Sequence, residues 1–474
     1  MSPRRALAAV ALVATGFAFS PPADALPLYA QRSGRTCGNC HVSPTWEDEA
    51  GWDNPDLPWR KCTMSCVGCH VDPAGGGLRT VSGRYYGQST LSVVHTQERS
   101  YSDLGRELIG QTALYRLQRL VNKGPTKNAD GRFIPSSWEE VQEGIGHGQR
   151  GGWSSGGRLA AQRMAWWDGR YGNLNADPVF QIGGDLRGAY WSGSGTAFPM
   201  QAEISAGFHP AHHVTAVVSA AARGQTTGQF ATEPDAPLYP RRAFLMTHEW
   251  PMMAWAKAGI FQPSFGNYAD DHTSPVRSLF ELSTSSSDDT VAGVEVGMAP
   301  NYPFVAASVF QNDTSPIAGG QRDTGWGSAV HGGWRDLGWS VTGHGQLRQR
   351  GGEGRGDLLA GGVGVGFNPM YYVPQLPLTW LGELTLGQRT FGTERTGLGA
   401  AQSELALLLW NGVQVQVHHD VVVAELGSPV QVRHQLGGEI SPLPGLTFEA
   451  AVRALQSPGA DTGVDVFLTN HLWF

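Results

Sequence analysis

Residues 338–350, GWSVTGHGQLRQR, alternate between two kinds of side chain. Trp339, Val341 and Leu347 fall on one face of an extended chain. The other face carries the intervening polar residues, namely Ser340, Thr342, His344, Gln346 and Arg348. Successive residues of a strand point to opposite faces, so this period of two predicts a strand with one apolar and one polar surface.

The same alternation recurs along the rest of the chain. It is clear in VQVQVHHD (413–420), LTFEAAVRALQ (446–456) and GVDVFLTNHLWF (463–474). About sixteen such segments can be counted. They are expected to start near residues 178, 199, 213, 240, 253, 288, 302, 323, 338, 356, 376, 398, 413, 428, 444 and 460.

The connections between these segments alternate between short and long. Short ones include HPAHH, WPMM, APNYP, RDL and WNG, whereas residues 225–239 and 265–287 are long and polar. A soluble all-β domain also alternates, and it stays open as the alternative. Strand lengths of at least the 9 to 11 residues that cross a bilayer, with short turns at one end, favour an outer-membrane antiparallel barrel. The fold class is therefore mainly β, with a barrel of about 16 strands over residues 176–474 and a small N-terminal α/irregular domain.

The amino terminus has the features of a secretory signal peptide. MSPRR is followed by an apolar run from Ala6 to about Ser20 and by Ala23-Asp24-Ala25. We expect residues 1–25 to be removed on export. The composition, with 64 Gly, 16 Trp, 16% charged residues and a net charge of -7, argues against a nucleic-acid partner and against a disordered chain.

All five cysteines of the chain lie between residues 37 and 69. The sequence C-x-x-C-H occurs twice there, as Cys37, Cys40, His41 and as Cys66, Cys69, His70. A disulfide or a zinc site would use the cysteines, but neither explains why His follows the second Cys immediately. A c-type haem does, because two thiols bond the macrocycle and the next imidazole binds the iron. Residues 26–100 are therefore predicted to be a dihaem cytochrome c domain with two covalently bound haem c groups.

The sequence indicates the other iron ligands less clearly. Cys62 is left over, either as a free thiol or in contact with the second haem. His95 and His147 are the candidate distal iron ligands, with Met64 and Met164 as thioether alternatives; each histidine also fits a solvated loop. Residues 101–175 combine helical periodicity with a Gly-rich stretch and are predicted to form a connector or a plug.

Charged and imidazole side chains on the polar face of the strands are expected to line the barrel interior. Only a position facing the lumen is assigned to them, because charged residues line the interior of any water-filled porin. They are His344, Arg348, His418, Glu439, Glu449 and Arg453.

LPLYAQRSGRTCGNCHVSP (26–44) and GRYYG (83–87) resemble the amino-terminal haem segment of fused outer-membrane porin-cytochromes, which include iron-oxidising outer-membrane cytochromes. The local match covers residues 26 to about 90. Those iron-oxidising members carry one haem motif, and this chain has two. The resemblance implies an electron conduit in the bacterial outer membrane, with the haem domain on the periplasmic side or in the lumen. Implied partners are periplasmic cytochromes or other carriers, extracellular iron or another redox substrate, and outer-membrane lipids.

Three functions stay open at this point. The first is that electron conduit, with or without Fe(II) oxidase or extracellular metal reductase activity. The second is a diffusion porin with a periplasmic cytochrome domain. The third is a barrel-anchored haem enzyme or sensor with an open iron site. The sequence holds no phosphate loop, metalloprotease motif or convincing nucleophile triad, so no catalytic residue is assigned.

Overall fold

The computed structural model describes residues 70–73, 75 and 77–78 and the chain from 180 to 473. The second range has gaps in its connections, at 212–213, 223–224, 228–230, 234–237, 268–272, 282–289, 301, 313–324, 337, 351–355, 370–371, 374–375, 411, 444, 458 and 460–461. Among the described residues, no helix is both long and apolar enough to cross a membrane.

Sixteen antiparallel strands close into a single barrel. The strands are β1 (Phe180–Trp191), β2 (Thr196–Ala211), β3 (Val214–Ala222), β4 (Leu238–Trp250), β5 (Ala254–Phe261), β6 (Val291–Met298), β7 (Pro303–Gln311), β8 (Trp326–Arg335), β9 (Trp339–Arg348), β10 (Asp357–Phe367), β11 (Leu378–Phe391), β12 (Glu394–Trp410), β13 (Val413–Val423), β14 (Gln431–Leu443), β15 (Leu446–Gln456) and β16 (Gly463–Trp473). Each strand pairs with its sequence neighbours, and β1 pairs with β16 to close the sheet.

The predicted strand count is confirmed, and each predicted start lies within four residues of an observed one. The short turns are also confirmed: β4 and β5, for example, are joined by a single 3-10 turn, Pro251–Met253. Between β3 and β4 lies a small separate hairpin of Gln225–Thr227 and Ala231–Glu233. The predicted domain boundaries up to residue 175 lie outside the described residues, apart from 70–78.

The outer face of the barrel is apolar. Mid-strand residues there include Val294, Val363 and Leu384, whose side chains are 51%, 54% and 44% exposed. Exposed aromatic side chains lie near both ends of the strands. Those at the end of the barrel that carries the β4–β5 turn are Trp250, Trp339, Phe367, Trp380 and Phe448, and those at the opposite end are Tyr190, Trp326 and Phe391. An apolar band between two aromatic girdles is the surface expected of a barrel that faces lipid.

The inner face is polar. On β9 the predicted alternation is confirmed: Thr342, His344 and Gln346 are buried inside, whereas Val341 is 48% exposed outside. Gln201, Thr215 and Thr385 on other strands are also buried, at 1%, 0% and 0% exposure. The charged residues described below share this interior.

Candidate functional site

Of the six residues in the two predicted haem motifs, only His70 lies in the part of the chain that the structure describes. Its side chain is half-buried. It begins a short stretch, residues 70–78, that we call the lumen segment. The other predicted haem residues lie outside the described part of the chain, namely Cys37, Cys40, His41, Cys66, Cys69, His95 and His147, together with Cys62, Met64 and Met164. Their roles stay predictions.

The lumen segment folds back on itself in a tight turn. The Val71 backbone N–H donates to Leu78 O at 2.9 Å, and the Gly75 N–H donates to Asp72 O at 2.8 Å. Gly77 has a φ of +61°, and a Cβ built on it would lie 2.6 Å from Arg242 Nη1. Because glycine tolerates this left-handed conformation and lacks a Cβ, the turn can approach the barrel wall closely.

Asp72 joins the lumen segment to two strands of the wall. Its Oδ2 accepts a hydrogen bond from Arg242 Nε of β4 at 3.0 Å, and its Oδ1 lies 2.8 Å from Lys257 Nζ of β5. Arg242 also donates through Nη2 to Gly75 O at 3.2 Å. Asp72, Arg242 and Lys257 are 3%, 5% and 1% exposed, so these ion pairs are buried.

The wall supplies the rest of this charge network. Both Arg241 and Arg242 pair with the carboxylate of Glu203 on β2, and Lys257 Nζ lies 2.8 Å from Glu295 Oε1 on β6. These wall residues carry three positive and two negative charges, and Asp72 supplies the third negative charge. A buried charge costs several kcal/mol unless it is paired. The lumen segment therefore completes the charge balance of the wall where it binds.

Apolar contacts surround the ion pairs. Val71 and Leu78 belong to one buried cluster with residues of the wall, namely Val217, Phe244, Met246, Phe261, Val291, Phe310 and Ala329. Lys257 Nζ lies 4.6 Å from the centroid of the Phe261 ring, close enough for a cation–π interaction. The segment thus packs against the inner face from β3 to β8.

The described part of the long β5–β6 connection, predicted only as long and polar, enters the barrel. Phe265, Phe280 and the short helix α1 (Pro275–Leu279) pack on the inner face of β10, β12 and β13. We call the described residues of this range, 262–267 and 273–281, the inward loop. Its polar ends are satisfied by the wall: Asn267 N–H donates to Glu383 Oε2 at 2.7 Å, and Gln346 Nε2 donates to Phe280 O at 2.5 Å.

All six predicted lumen residues face the interior. His344, Arg348, His418 and Arg453 are buried, at 6%, 0%, 7% and 4% exposure, and Glu439 and Glu449 are half-buried. Several bond to side chains on nearby strands. His344 Nε2 lies 2.7 Å from Thr385 Oγ1, Gln416 Nε2 donates to Glu439 Oε2 at 3.3 Å, and Arg453 Nε donates to Asp465 Oδ1 at 2.7 Å.

The sequence analysis did not single out the residues that hold the lumen segment, Asp72, Glu203, Arg242, Lys257 and Glu295. One signal was available, since VDPAGGG directly follows the second C-x-x-C-H and combines a carboxylate with glycines suited to a tight turn. His331 was missed as well. In the described part of the chain, no group of three or more His, Cys, Asp or Glu side chains is arranged to hold a metal ion.

Comparison with known proteins concerns the barrel. No protein-family profile matches the chain, and no curated protein sequence matches it. Solved porins are similar in structure. The anion-selective porin of Comamonas acidovorans is 9% identical with a TM-score of 0.44, and the match covers 62% of this chain and 99% of that porin.

Two further solved structures give comparable values. OprB of Pseudomonas putida is 10% identical with a TM-score of 0.45, covering 62% of this chain and 93% of OprB. OmpT of Vibrio cholerae is 9% identical with a TM-score of 0.46, covering 64% of this chain and 100% of OmpT. At these identities the likeness is limited to barrel architecture.

Of the second predicted haem motif, His70 is the residue that the structure describes. It precedes Asp72 by two residues, and the ion pairs of Asp72 with the wall restrict where the imidazole can lie. The apolar cluster around Val71 and Leu78 provides a dry environment of the kind in which proteins tune haem potentials. One ring nitrogen of a buried histidine on β8, His331 Nε2, has no hydrogen-bond partner among the described residues.

Proposed function

We propose that this protein spans the bacterial outer membrane as a barrel, holds its second haem motif in the lumen, and passes electrons between periplasmic carriers and an extracellular donor or acceptor such as iron. One observation carries the proposal. Asp72, two residues after the motif histidine His70, forms buried ion pairs with Arg242 and Lys257 on the inner wall. The motif's own segment is thereby bound inside the barrel.

The barrel surface supports the membrane location. Closure of the sheet pairs the backbone groups of its strands, which hydrocarbon requires because it offers them no hydrogen bonds. The apolar band and the aromatic girdles then place lipid around the middle of the strands. Outer-membrane lipids are accordingly the proposed surroundings.

Distance is the main obstacle to electron transfer across a membrane. The hydrocarbon layer is roughly 30 Å thick and excludes soluble carriers. When bound, a c-type haem supplies a site that takes up and releases one electron. Asp72, Arg242 and Lys257 would hold that site away from lipid and at a fixed position along the barrel.

The test uses proteoliposomes that contain an internal reductant and external ferric iron. We expect the wild-type protein to reduce the iron and to show little ion conductance. Replacing Cys66 and Cys69 with Ala should stop the electron transfer while the barrel still shows its heat-modifiable mobility in electrophoresis. Cys62→Ala is the matched control, because it removes a thiol and leaves both motifs intact.

A diffusion porin is the second candidate, and the barrel taken alone supports it more directly than an electron conduit. Sixteen strands enclose an interior wide enough for an aqueous channel, and that interior is polar. Large, steady conductance in the intact protein, with electron transfer no faster than in empty liposomes, would establish the porin function and contradict the conduit.

A haem enzyme or sensor with an open iron site is distinguished by its optical spectrum. Six-coordinate, low-spin iron in both haems supports electron transfer, whereas a high-spin population indicates an open site. An Fe(II) oxidase or extracellular metal reductase activity would follow from the direction of electron flow, which the haem potentials determine.

A further inference from the structure

A pair of histidines lies on the outward face of the barrel. His419 of β13 is paired in register with His434 of β14, both residues are exposed, and the centroids of their rings are 4.6 Å apart. Their outward neighbours along the strands are apolar, and Val417 and Leu436 among them are 46% and 60% exposed. Away from the strand ends, the outward face of the described strands carries no other imidazole and no carboxylate, ammonium or guanidinium group.

The histidine pair lies within the apolar band and not at its edge. His419 is the seventh of the 11 residues of β13, and His434 is the fourth of the 13 residues of β14. A strand tilted by about 40° advances roughly 2.5 Å per residue along the barrel axis, so His419 lies about 10 Å from one end of β13 and about 15 Å from the other. Hydrocarbon offers polar nitrogens no hydrogen bond. Ionisable side chains at this depth therefore indicate a contact that covers them.

The two rings share one hydrogen bond. His419 Nδ1 lies 3.0 Å from His434 Nδ1, a distance at which one nitrogen carries the proton and the other accepts it. In a neutral pair, the ring that donates through Nδ1 keeps its Nε2 as an acceptor, and the ring that accepts through Nδ1 carries its proton on Nε2. Beyond their shared bond, the two imidazoles therefore offer one donor and one acceptor.

One donor and one acceptor side by side match a second copy of the same chain. Two copies inserted in the same orientation are related by a two-fold axis along the membrane normal, and such an interface uses the same patch on both copies. This axis places His419 of one copy opposite His434 of the other, at depths that differ by about 3 Å for strands of this tilt. Donor then meets acceptor twice, whichever ring carries the Nε2 proton, and the four imidazoles stay neutral.

The residues beside the pair are small enough to let a second barrel wall approach. Ser403 of β12 is paired with His419, and Ala454 of β15 is paired with His434. The outward face of β12 to β15 is about 19 Å wide and about 25 Å tall, so two copies would cover roughly 1,000 Å² between them. That area is close to the lower limit for a specific protein interface, about 1,000 Å².

We propose that two copies of this protein associate in the membrane through the outward face of β12 to β15, with His419 of each copy hydrogen-bonded to His434 of the partner subunit. The inference goes beyond the proposed function, because it requires the barrel and neither haem. The contact replaces hydrocarbon with hydrogen-bonding partners at the one place on the outward face of the described strands where two imidazoles meet the apolar band.

The test is sedimentation equilibrium of the full chain in a density-matched detergent, which gives both the number of copies and their dissociation constant. We expect the wild-type protein to be a dimer. Replacing both His419 and His434 with Leu should raise the dissociation constant by roughly ten-fold or more, because two hydrogen bonds between the copies are lost. The urea unfolding midpoint of the barrel should not fall, since leucine suits a lipid-facing position. A pair that only held β13 to β14 would give the reverse, a lower midpoint with unchanged association.

A second variant leaves both histidines in place and covers the case in which the leucine variant fails to fold. Leu436 is exposed two residues after His434, so the larger ring of Leu436→Trp should hold the two walls apart and weaken association in the same direction. Val294→Trp is the matched control, because Val294 is 51% exposed on β6, a strand outside the proposed contact. Its association should equal that of the wild type.

The outcomes separate this inference from the proposed function. A monomeric or trimeric wild-type protein, or leucine and tryptophan variants that associate as tightly as the wild type, would refute the dimer contact and leave the conduit standing. Weaker association in Val294→Trp as well as in Leu436→Trp would also refute it, because the contact would not be specific to β12 to β15. A dimer that transfers no electrons in proteoliposomes would contradict the conduit and support the contact.

Discussion

Asp72 and Lys257 are separated by 185 residues in the chain and form a 2.8 Å ion pair inside the barrel. Lys257 Nζ also lies 2.8 Å from Glu295 Oε1, so its ammonium group is shared between the lumen segment and the wall. An ammonium buried to 1% exposure needs such partners because it is cut off from water. The lumen segment is therefore an integral part of the barrel interior.

The first prediction concerns this ion pair. Asp72→Asn keeps the shape of the side chain but removes its charge, which leaves Arg242 and Lys257 with one carboxylate fewer. Removing one partner of a buried ion pair costs about 3–5 kcal/mol, so binding of the segment should weaken by roughly 100-fold or more. We expect higher ion conductance in planar bilayers, because the segment leaves the wall more often.

Asp465→Asn is the control for that experiment. Asp465 pairs with Arg453 at 2.7 Å between β15 and β16. The Asp465→Asn variant therefore also removes a carboxylate from an ion pair. The pair belongs entirely to the barrel wall. Equal conductance in the two variants would show that Asp72 has no special role in occupying the interior.

The second prediction concerns the inward loop. Phe280 is 0% exposed and packs with Leu358 and Leu398. Phe280→Ala should destabilise that packing by about 3–5 kcal/mol, as deletion of a buried aromatic ring usually does. Protease added to intact cells should then cleave the inward loop, and we expect the wild-type loop to be cut more slowly.

Met252→Ala is the control, since Met252 is 59% exposed in the short β4–β5 turn. Wild-type cells should be cleaved first in the connection that contains the hairpin at residues 225–233. If the wild-type inward loop is cut as fast as that hairpin, the inward position is wrong.

The barrel could be predicted from sequence because its pattern is local. Alternation on β9, from Trp339 to Arg348, is a period of two that depends only on which face meets lipid. The inward position of Phe265 and Phe280 was not predictable in this way. Their loop is long and polar overall, and its burial depends on contacts with β10, β12 and β13, strands far along the chain.

The charge network was hidden for a similar reason. Glu203, Arg242 and Lys257 lie on β2, β4 and β5, and they come together only through the registers in which β2 to β5 pair. Each one alone resembles any other charged residue of a porin interior. The turn-forming sequence around Asp72 did not indicate its partners, because they are more than 160 residues away.

The third prediction tests the membrane location against a soluble all-β domain. Val363 is 54% exposed near the middle of β10, and Val464 is 69% exposed at the loop end of β16. In lipid, an outward Arg costs about 2–4 kcal/mol at mid-membrane and about 0–1 kcal/mol near the interface. Urea unfolding in vesicles should therefore show Val363→Arg to be clearly less stable than Val464→Arg. In water both changes would be surface substitutions within about 0.5 kcal/mol of neutral, so equal stabilities would support the soluble alternative.

The last prediction compares two glycines with nearly the same backbone conformation. Gly77 has a φ of +61° and Gly392 a φ of +58°, so Ala at either position carries a left-handed strain of about 1–2 kcal/mol. They differ in their surroundings. A Cβ on Gly77 would lie 2.6 Å from Arg242 Nη1, whereas a Cβ on Gly392 would have nothing within 4 Å.

Gly77→Ala should therefore disturb Arg242 and its pair with Asp72, and Gly392→Ala should not. We expect Gly77→Ala to raise the conductance of the protein in planar bilayers in the same direction as Asp72→Asn. Gly392→Ala should lower the unfolding midpoint slightly and leave the conductance at the wild-type level. If the two glycine variants conduct equally, the close contact between the lumen segment and β4 does not control occupancy of the interior, and the Asp72 ion pairs would have to act without it.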